Sequence, residues 1–161
     1  MIQTLEIENF KSIKHLKMDC KRINLFIGEP NTGKSNILES LGLLSYPYYG
    51  DKLKQYVRFE TMSNLFFDDN IEEKIKIRVD PRIFHVEFQN GRFRGYFQGA
   101  EAFEENYDGT TNFRYSLSDL GLFKYYKFEV RESFPRIQSE FLLPPSAPNL
   151  LTLILTHKNL K

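Results

Sequence analysis

Apolar residues alternate with polar ones at the start of the chain and predict two strands. Ile2, Leu5 and Ile7 begin the first strand, while Leu16 and Met18 alternate with lysines in the second. This period of two is typical of strands that bury one face. The chain therefore opens with a pair of half-buried strands.

A third strand, a loop and a helix are predicted next. Residues 22–27 form a mostly apolar run that indicates a buried strand leading into the glycine-containing residues 28–35. Four apolar residues then share one face at helical spacing: Ile37, Leu38, Leu41 and Leu44. Gly42 weakens this helix and Pro47 is expected to end it. Residues 1–46 thus read as strand, strand, strand, loop, helix.

The pattern of residues 48–70 does not choose between helix and extended chain, but from residue 71 onward it predicts an antiparallel sheet. Apolar residues alternate over residues 75–79 and 84–88, and Asn90 with Gly91 supplies a hairpin turn. A polar loop over residues 104–112, with solvated Glu104 and Glu105, precedes an aromatic strand over residues 123–130. Further βα units are not expected.

The end of the chain predicts a helix. A proline-rich break ends at Pro148, Asn149 is a candidate N-cap, and the helix covers residues 150–157. The whole chain, residues 1–161, is interpreted as one lobe. Its parts are residues 1–46, the antiparallel region 71–143, and a last helix in 149–161 that leads towards a missing part.

Composition limits the function classes. The chain has 161 residues, 41% apolar and 27% charged, which suits one globular domain. A net charge of +1 gives no electrostatic argument for DNA binding, although DNA contact stays open. Cys20 is the single cysteine, so no internal disulfide is expected. There is no signal-peptide pattern and no apolar run long enough to span a bilayer, so we expect a cytoplasmic protein without a membrane partner.

The chemistry is carried by residues 28–35, which match the pattern G-x-x-x-x-G-K-[ST] of a phosphate-binding loop, or P-loop. Glycines allow backbone N–H groups to point at phosphates, and the following helix directs its positive dipole end towards the same anions. Lys34 is expected to reach the β- and γ-phosphates of ATP, and the Ser35 hydroxyl to ligate Mg²⁺. The cofactor-binding residues predicted from the loop are Gly28, Glu29, Pro30, Asn31, Thr32, Gly33, Lys34 and Ser35.

Three segments together resemble a known family of ATPases. Residues 9–13 (NFKSI), 23–28 (INLFIG) and 31–39 (NTGKSNILE) look like the amino-terminal lobe of RecF-like, SMC-like and OLD-like ATPases. These belong to the ABC-type group that is often described as AAA-type. The resemblance continues more weakly over residues 141–145 and 149–151. It implies an α/β fold with α+β character, a P-loop NTPase half-domain beside a flanking antiparallel sheet.

The resemblance also implies three further contacts. Lys11 and Ser12 match a family segment beside the nucleotide, and Asn36 matches a position beside the Mg²⁺-binding serine. Alternatively, Lys11 is a solvated charge at a strand end, Ser12 a turn residue, and Asn36 a polar residue in the first helical turn. The sequence leaves both interpretations open for each residue.

Hydrolysis in this family needs an acidic strand end and a signature loop, and neither is convincing here. Residues 65–69 (LFFDD) and 116–121 (SLSDLG) are interpreted as turns. We therefore predict a truncated lobe that binds ATP without catalytic residues of its own. No histidine ligand set is expected from His15, His85 and His157. By resemblance, the parent ATPase forms a homodimer through the nucleotide site and acts in DNA repair or phage defence.

Two other function classes remain. The first is a nucleotide-sensing interaction module that binds ATP and never hydrolyses it. The second is a P-loop GTPase or kinase. A guanine-reading Asn-Lys-x-Asp sequence is missing, and a kinase would continue with βα units after residue 70.

Overall fold

One antiparallel sheet forms most of the structure. The computed structural model describes residues 2–50, 52–127, 141–142, 148 and 150–157. Seven strands lie in the order β2-β1-β3-β4-β5-β6-β7, and each pairs with its neighbours in antiparallel fashion. Their bounds are β1 Thr4–Phe10, β2 Ile13–Asp19, β3 Ile75–Val79, β4 Arg82–Gln89, β5 Arg92–Phe97, β6 Ala100–Glu105 and β7 Thr111–Arg114.

The alternation seen in the sequence correctly predicts strands β1 to β5. In β3, for example, the side chains of Ile75, Ile77 and Val79 are buried, whereas those between them point to the outer face. Asn90 and Gly91 both have positive φ angles, 53° and 75°. Two such residues suit the tight turn between β4 and β5, so the predicted hairpin is confirmed.

Helix α1 (Lys34–Tyr49) packs against the inner face of this sheet. Pro47 lies inside the helix, so the prediction that Pro47 ends it is wrong. A proline one turn from a helix end removes only one hydrogen bond, and Arg114 of β7 donates to the carbonyls of Tyr46 and Pro47 at 3.2 Å each. The Tyr46 carbonyl also accepts the amide of Gly50 at 2.9 Å, so Arg114 adds a second donor there and satisfies the Pro47 carbonyl in the last turn.

Gly42 fits a close approach in α1. A Cβ atom on Gly42 would lie 2.7 Å from the carbonyl oxygen of Tyr56. The segment after α1 therefore crosses the helix at a distance that no side chain permits. It forms three short 3₁₀ turns, at Leu53–Gln55, Met62–Leu65 and Phe67–Asp69, where the sequence pattern had been ambiguous.

The predicted strand over residues 22–27 is wrong. This segment forms no strand, and Ile23, Leu25 and Ile27 are 84%, 79% and 84% exposed. A strand needs a neighbour for its backbone groups, and both edges of β1 are already occupied by β2 and β3. Apolar content alone is therefore not enough to form a strand here.

Two more predictions need correction. Glu104 and Glu105 lie in β6 and not in a loop, and Glu105 is fully buried. Residues 123–127 form no strand, because the amide of Tyr125 donates to the Ser45 hydroxyl of α1 instead of to a strand. Residues 128–130 and Asn149 lie outside the described residues. The last predicted helix is present as α2 (Leu150–His157).

Candidate phosphate-binding site

Two connections meet at the start of α1. The tight turn between β1 and β2 carries Lys11, with φ 52°, and Ser12. Opposite it, the loop 28–33 leads into the helix through Gly33, whose φ of 83° is left-handed. A Cβ atom on Gly33 would also lie 3.3 Å from the Ser12 hydroxyl. Glycine is therefore favoured at position 33 by both its backbone angle and its close neighbour.

The amino terminus of α1 has no side-chain cap. Gly33 is its N-cap residue, and no acidic residue lies in the first turn. The amides of Asn36 and Ile37 bond to the Gly33 carbonyl at 2.9 and 3.3 Å. The N–H groups of Lys34 and Ser35 precede these first helical bonds and carry the positive end of the helix dipole. Such an end attracts an anion.

Side chains of the loop hold its shape. The Thr32 hydroxyl donates to the Glu29 carbonyl at 2.9 Å. The Lys34 ammonium donates to the Thr32 hydroxyl at 2.9 Å and to the same Glu29 carbonyl. The Lys34 ammonium group thus lies within the loop, next to the helix end that attracts anions.

Asn36 connects the helix to the β1–β2 turn. Its side-chain amide donates to the Ser12 hydroxyl at 2.7 Å. The sequence offered separate alternatives for these two residues, and the structure places them in one hydrogen-bonded pair. Their contact with a nucleotide stays a prediction.

A pocket of about 260 Å³ opens at this helix end. Its lining combines loop, helix and turn residues with one cation from the segment after α1: Ser12, Asn31, Thr32, Gly33, Lys34, Ser35, Asn36 and Arg58. Gly28, Glu29 and Pro30 are exposed in the loop that leads to it. Lys11, the residue before Ser12 in the same turn, is not among the lining residues, and its contact with a nucleotide stays a prediction.

Lys11 instead takes part in a cluster that the sequence did not reveal. Its ammonium forms an ion pair with the carboxylate of Glu39, and Arg58 contacts the other oxygen of Glu39 through Nε at 2.5 Å. Glu39 lies on α1 and is buried. Arg58 lies outside the sequence motif of residues 28–35, so its position in the sequence gives no sign that it faces the loop.

No carboxylate lines this pocket among the described residues. Asp68 and Asp69 lie in a neighbouring pocket with Lys11 and Arg58, within the predicted turn over residues 65–69. Asp69 accepts a hydrogen bond from the Asn64 side chain at 3.0 Å. Asp68 and Asp69 are therefore not placed to ligate an ion held by Ser35.

Among the residues that the structure describes, another group of possible metal ligands lies on the outer face of the sheet. Glu6, Glu8 and His15 present ligand atoms within 4.8 Å of one another. However, Glu6 pairs with Arg78 and Glu8 with Lys76. These carboxylates are already neutralised by cross-strand ion pairs.

The loop, the open helix end and the adjoining sheet form the candidate site, and the sequence comparisons identify the family of the domain that carries it. The family model described as AAA ATPase domain matches residues 1–134. The chain therefore belongs to this AAA ATPase domain family, which is consistent with the predicted likeness to RecF-like, SMC-like and OLD-like ATPases.

Individual relatives match over shorter stretches. An "ATP/GTP phosphatase" of Helicobacter pylori is 34% identical over 88 residues, which are 48% of this chain and 24% of that protein. The "DNA replication and repair protein RecF" of Caldanaerobacter subterraneus is 34% identical over 62 residues, 37% of this chain and 17% of that protein. The RecF of Clostridioides difficile is 34% identical over 68 residues, 40% of this chain and 18% of that protein. The chain thus spans about a quarter or less of these relatives.

Among the described residues, no helix is long and apolar enough to cross a membrane.

Proposed function

We propose that this chain is a P-loop NTPase half-domain that binds ATP with Mg²⁺ at residues 28–35. The observation that carries the proposal is the uncapped amino terminus of α1, with Lys34 and Ser35 lining the pocket in front of it. Backbone N–H groups, an ammonium and a hydroxyl are the groups that phosphates and Mg²⁺ need. Ser35 would hold the ion, which neutralises charge on the phosphates when it is bound.

Calorimetric titration with ATP and Mg²⁺ tests this site. Lys34→Ala should remove detectable binding, because it deletes the ammonium beside the loop while leaving the fold intact. Lys17→Ala is the matched control, since Lys17 is an exposed lysine of β2 outside the pocket. Equal ATP affinity in Lys34→Ala and the wild type would overturn the assignment.

We also infer that the chain acts as one lobe of a longer, cytoplasmic ATPase and does not hydrolyse ATP alone. The inference is supported by its small share of the relatives' length and by the lack of a carboxylate among the described pocket residues. The exposed apolar face of Ile23, Leu25 and Ile27 also suits a segment that pairs with further chain. The parent would dimerise through the nucleotide site and act in DNA repair or phage defence.

A phosphate-release assay on the purified chain tests the second inference. Turnover should stay at the level of the Lys34→Ala variant. Hydrolysis that clearly exceeds that level, and that disappears in the variant, would contradict it. A nucleotide-sensing module is the second candidate function, and the same missing carboxylate favours it. Turnover measured with the rest of the parent chain present distinguishes these two functions, because only an ATPase lobe would then hydrolyse ATP.

A further inference from the structure

Glu105 of β6 is a buried carboxyl group whose two oxygens have different surroundings. One oxygen accepts a hydrogen bond from the Tyr46 hydroxyl of α1 and another, at 3.1 Å, from the Thr111 hydroxyl of β7. The second oxygen is also buried and has no hydrogen-bond partner among the described residues. A buried carboxylate is costly unless its oxygens are paired. An ionised Glu105 therefore needs a donor at this second oxygen.

Arg114 of β7 is the cation of this region, and it is attached to the end of α1. One terminal nitrogen of its guanidinium donates to the carbonyls of Tyr46 and Pro47 at 3.2 Å each. The guanidinium also lies 5.8 Å from the centre of the Tyr46 ring, whose hydroxyl contacts Glu105. The other N–H groups of Arg114 have no hydrogen-bond partner in the part of the chain that the structure describes. Arg114 and Glu105 thus meet around one tyrosine of the helix.

The charged groups around Glu105 decide which of them changes its charge near neutral pH. Burial raises the pKa of Glu105 to about 7, against the hydrogen bonds from Tyr46 and Thr111. The negative charge of Asp108, in the turn between β6 and β7, raises this pKa further, and the positive charge of Arg114 lowers it. Burial and the contact with Glu105 raise the pKa of Tyr46, so its phenol keeps its proton. Of these groups, Glu105 is the one that titrates in this range.

We propose that Arg114 is a proton-operated clamp on the carboxyl end of α1. While Glu105 carries its proton, the guanidinium holds the carbonyls of Tyr46 and Pro47. When Glu105 gives its proton to the solvent, the guanidinium moves to the unpartnered carboxylate oxygen, because a pair of opposite charges bonds more strongly than a cation and a neutral carbonyl. The Pro47 carbonyl then loses its donor. The clamp does not depend on the proposed nucleotide function.

The two positions of the guanidinium form a two-state element within the fold. In the acid state Arg114 connects β7 to α1, and in the ionised state it connects β7 to β6. Because the last turn of α1 is held by Arg114 in the first state alone, a rise in pH loosens the attachment of this turn to the sheet.

A double-mutant cycle in urea unfolding tests whether the two side chains pair only when Glu105 is ionised. At pH 8, Arg114→Met should raise the unfolding equilibrium constant about tenfold more in the wild-type background than in the Glu105→Gln background. At pH 5 its effect should be the same in both backgrounds. Glu73→Gln is the matched control, because Glu73 is exposed and its cycle with Arg114→Met should show no coupling at either pH. Equal effects in the wild type and Glu105→Gln at pH 8 would overturn the proposal.

NMR of the wild-type protein tests the movement itself and needs no variant to fold. The carbonyl carbon of Pro47 and the Nε–H of Arg114 should shift between pH 5 and pH 8 with the same midpoint as the carboxyl carbon of Glu105. A Pro47 carbonyl that keeps its chemical shift while Glu105 titrates would show that the guanidinium does not move. A carboxyl carbon of Glu105 that does not titrate between these pH values would also refute the clamp.

Discussion

The hydroxyl of Tyr46 in α1 donates a hydrogen bond to the carboxylate of Glu105 in β6, and both side chains are buried. Thr111 of β7 donates to the same carboxylate oxygen at 3.1 Å. The other oxygen of Glu105 has no hydrogen-bond partner among the described residues. Burial raises the pKa of Glu105 from 4.5 to about 7. The helix that begins at the P-loop is thus bound at its other end to a carboxyl group that titrates near neutral pH.

The stability of the protein should therefore fall as the pH rises from about 4.5 to 7. In this range the folded state keeps a proton on Glu105 that the unfolded chain has released, so folding is favoured at the acidic end. Above pH 7 the full effect, about 3 kcal/mol, is lost. Urea unfolding of Glu105→Gln should show a smaller fall in the free energy of unfolding between pH 5 and 8.

Glu73→Gln is the matched control for this pH effect. Glu73 is exposed, so its substitution should leave the pH dependence of stability as in the wild type. If Glu105→Gln and Glu73→Gln give the same pH profile as the wild type, burial of Glu105 does not raise its pKa.

Gly42→Ala should destabilise the protein, although alanine favours helices. Its Cβ would meet the Tyr56 carbonyl at 2.7 Å, and a buried backbone oxygen cannot move away cheaply. We expect a loss of about 1–3 kcal/mol, larger than the gain of about 1 kcal/mol in helix propensity. Thermal unfolding measures it. Gly28→Ala, whose Cβ would meet nothing closer than 3.6 Å, should leave the Tm close to that of the wild type.

Arg114→Met should weaken the attachment of α1 to β7. The guanidinium donates to the carbonyls of Tyr46 and Pro47 and lies 5.8 Å from the Tyr46 ring centre. The loss of these bonds should cost about 1–3 kcal/mol in urea unfolding, because methionine keeps the length of the side chain but has no donor. Arg92→Met, on the outer face of β5, should change the free energy of unfolding by less than about 0.5 kcal/mol.

Ser35→Ala should remove the effect of Mg²⁺ on ATP binding. If the hydroxyl of Ser35 ligates the ion, the wild type binds ATP more tightly with Mg²⁺ than with EDTA, and the variant does not. Titrations in both conditions measure this ratio. Ser63→Ala is the control, since Ser63 lies in a 3₁₀ turn and does not line the pocket. A Mg²⁺ effect in Ser35→Ala as large as in the wild type would remove Ser35 from the site.

The hairpins were predictable because they depend on residues that are close together in the sequence. Alternation sets which face of β3 and β4 is buried, and Asn90 with Gly91 can adopt the two positive φ angles that their turn requires. The pattern of residues 28–35 could be read for the same reason, since its glycines, lysine and serine are contiguous, and its binding of ATP stays a prediction. Residues 22–27 were not, because an apolar run shows a tendency to form a strand and says nothing about the partner it needs.

The groups that the sequence did not reveal depend on distant contacts. In the sequence, Glu105 and Glu104 look like acids of a polar loop. In the structure, the pairing of β6 with β5 turns the side chain of Glu105 to the inner face of the sheet. Likewise, Glu39 meets Lys11 and Arg58 only when α1 packs beside the β1–β2 turn. A buried ion pair between separate segments leaves no periodic signal in a single sequence.

The position of β1 between β2 and β3 has a consequence for the order of folding. Strands β3 to β7 are joined by short turns and can pair as they meet, whereas β1 must pair with β3 across the whole segment that carries the P-loop and α1, so that Leu5 faces Val79. Closing so long a loop costs chain entropy before any contact is gained. The segment that carries the loop 28–35 and α1 is therefore the long connection that must be closed before β1 and β3 can pair.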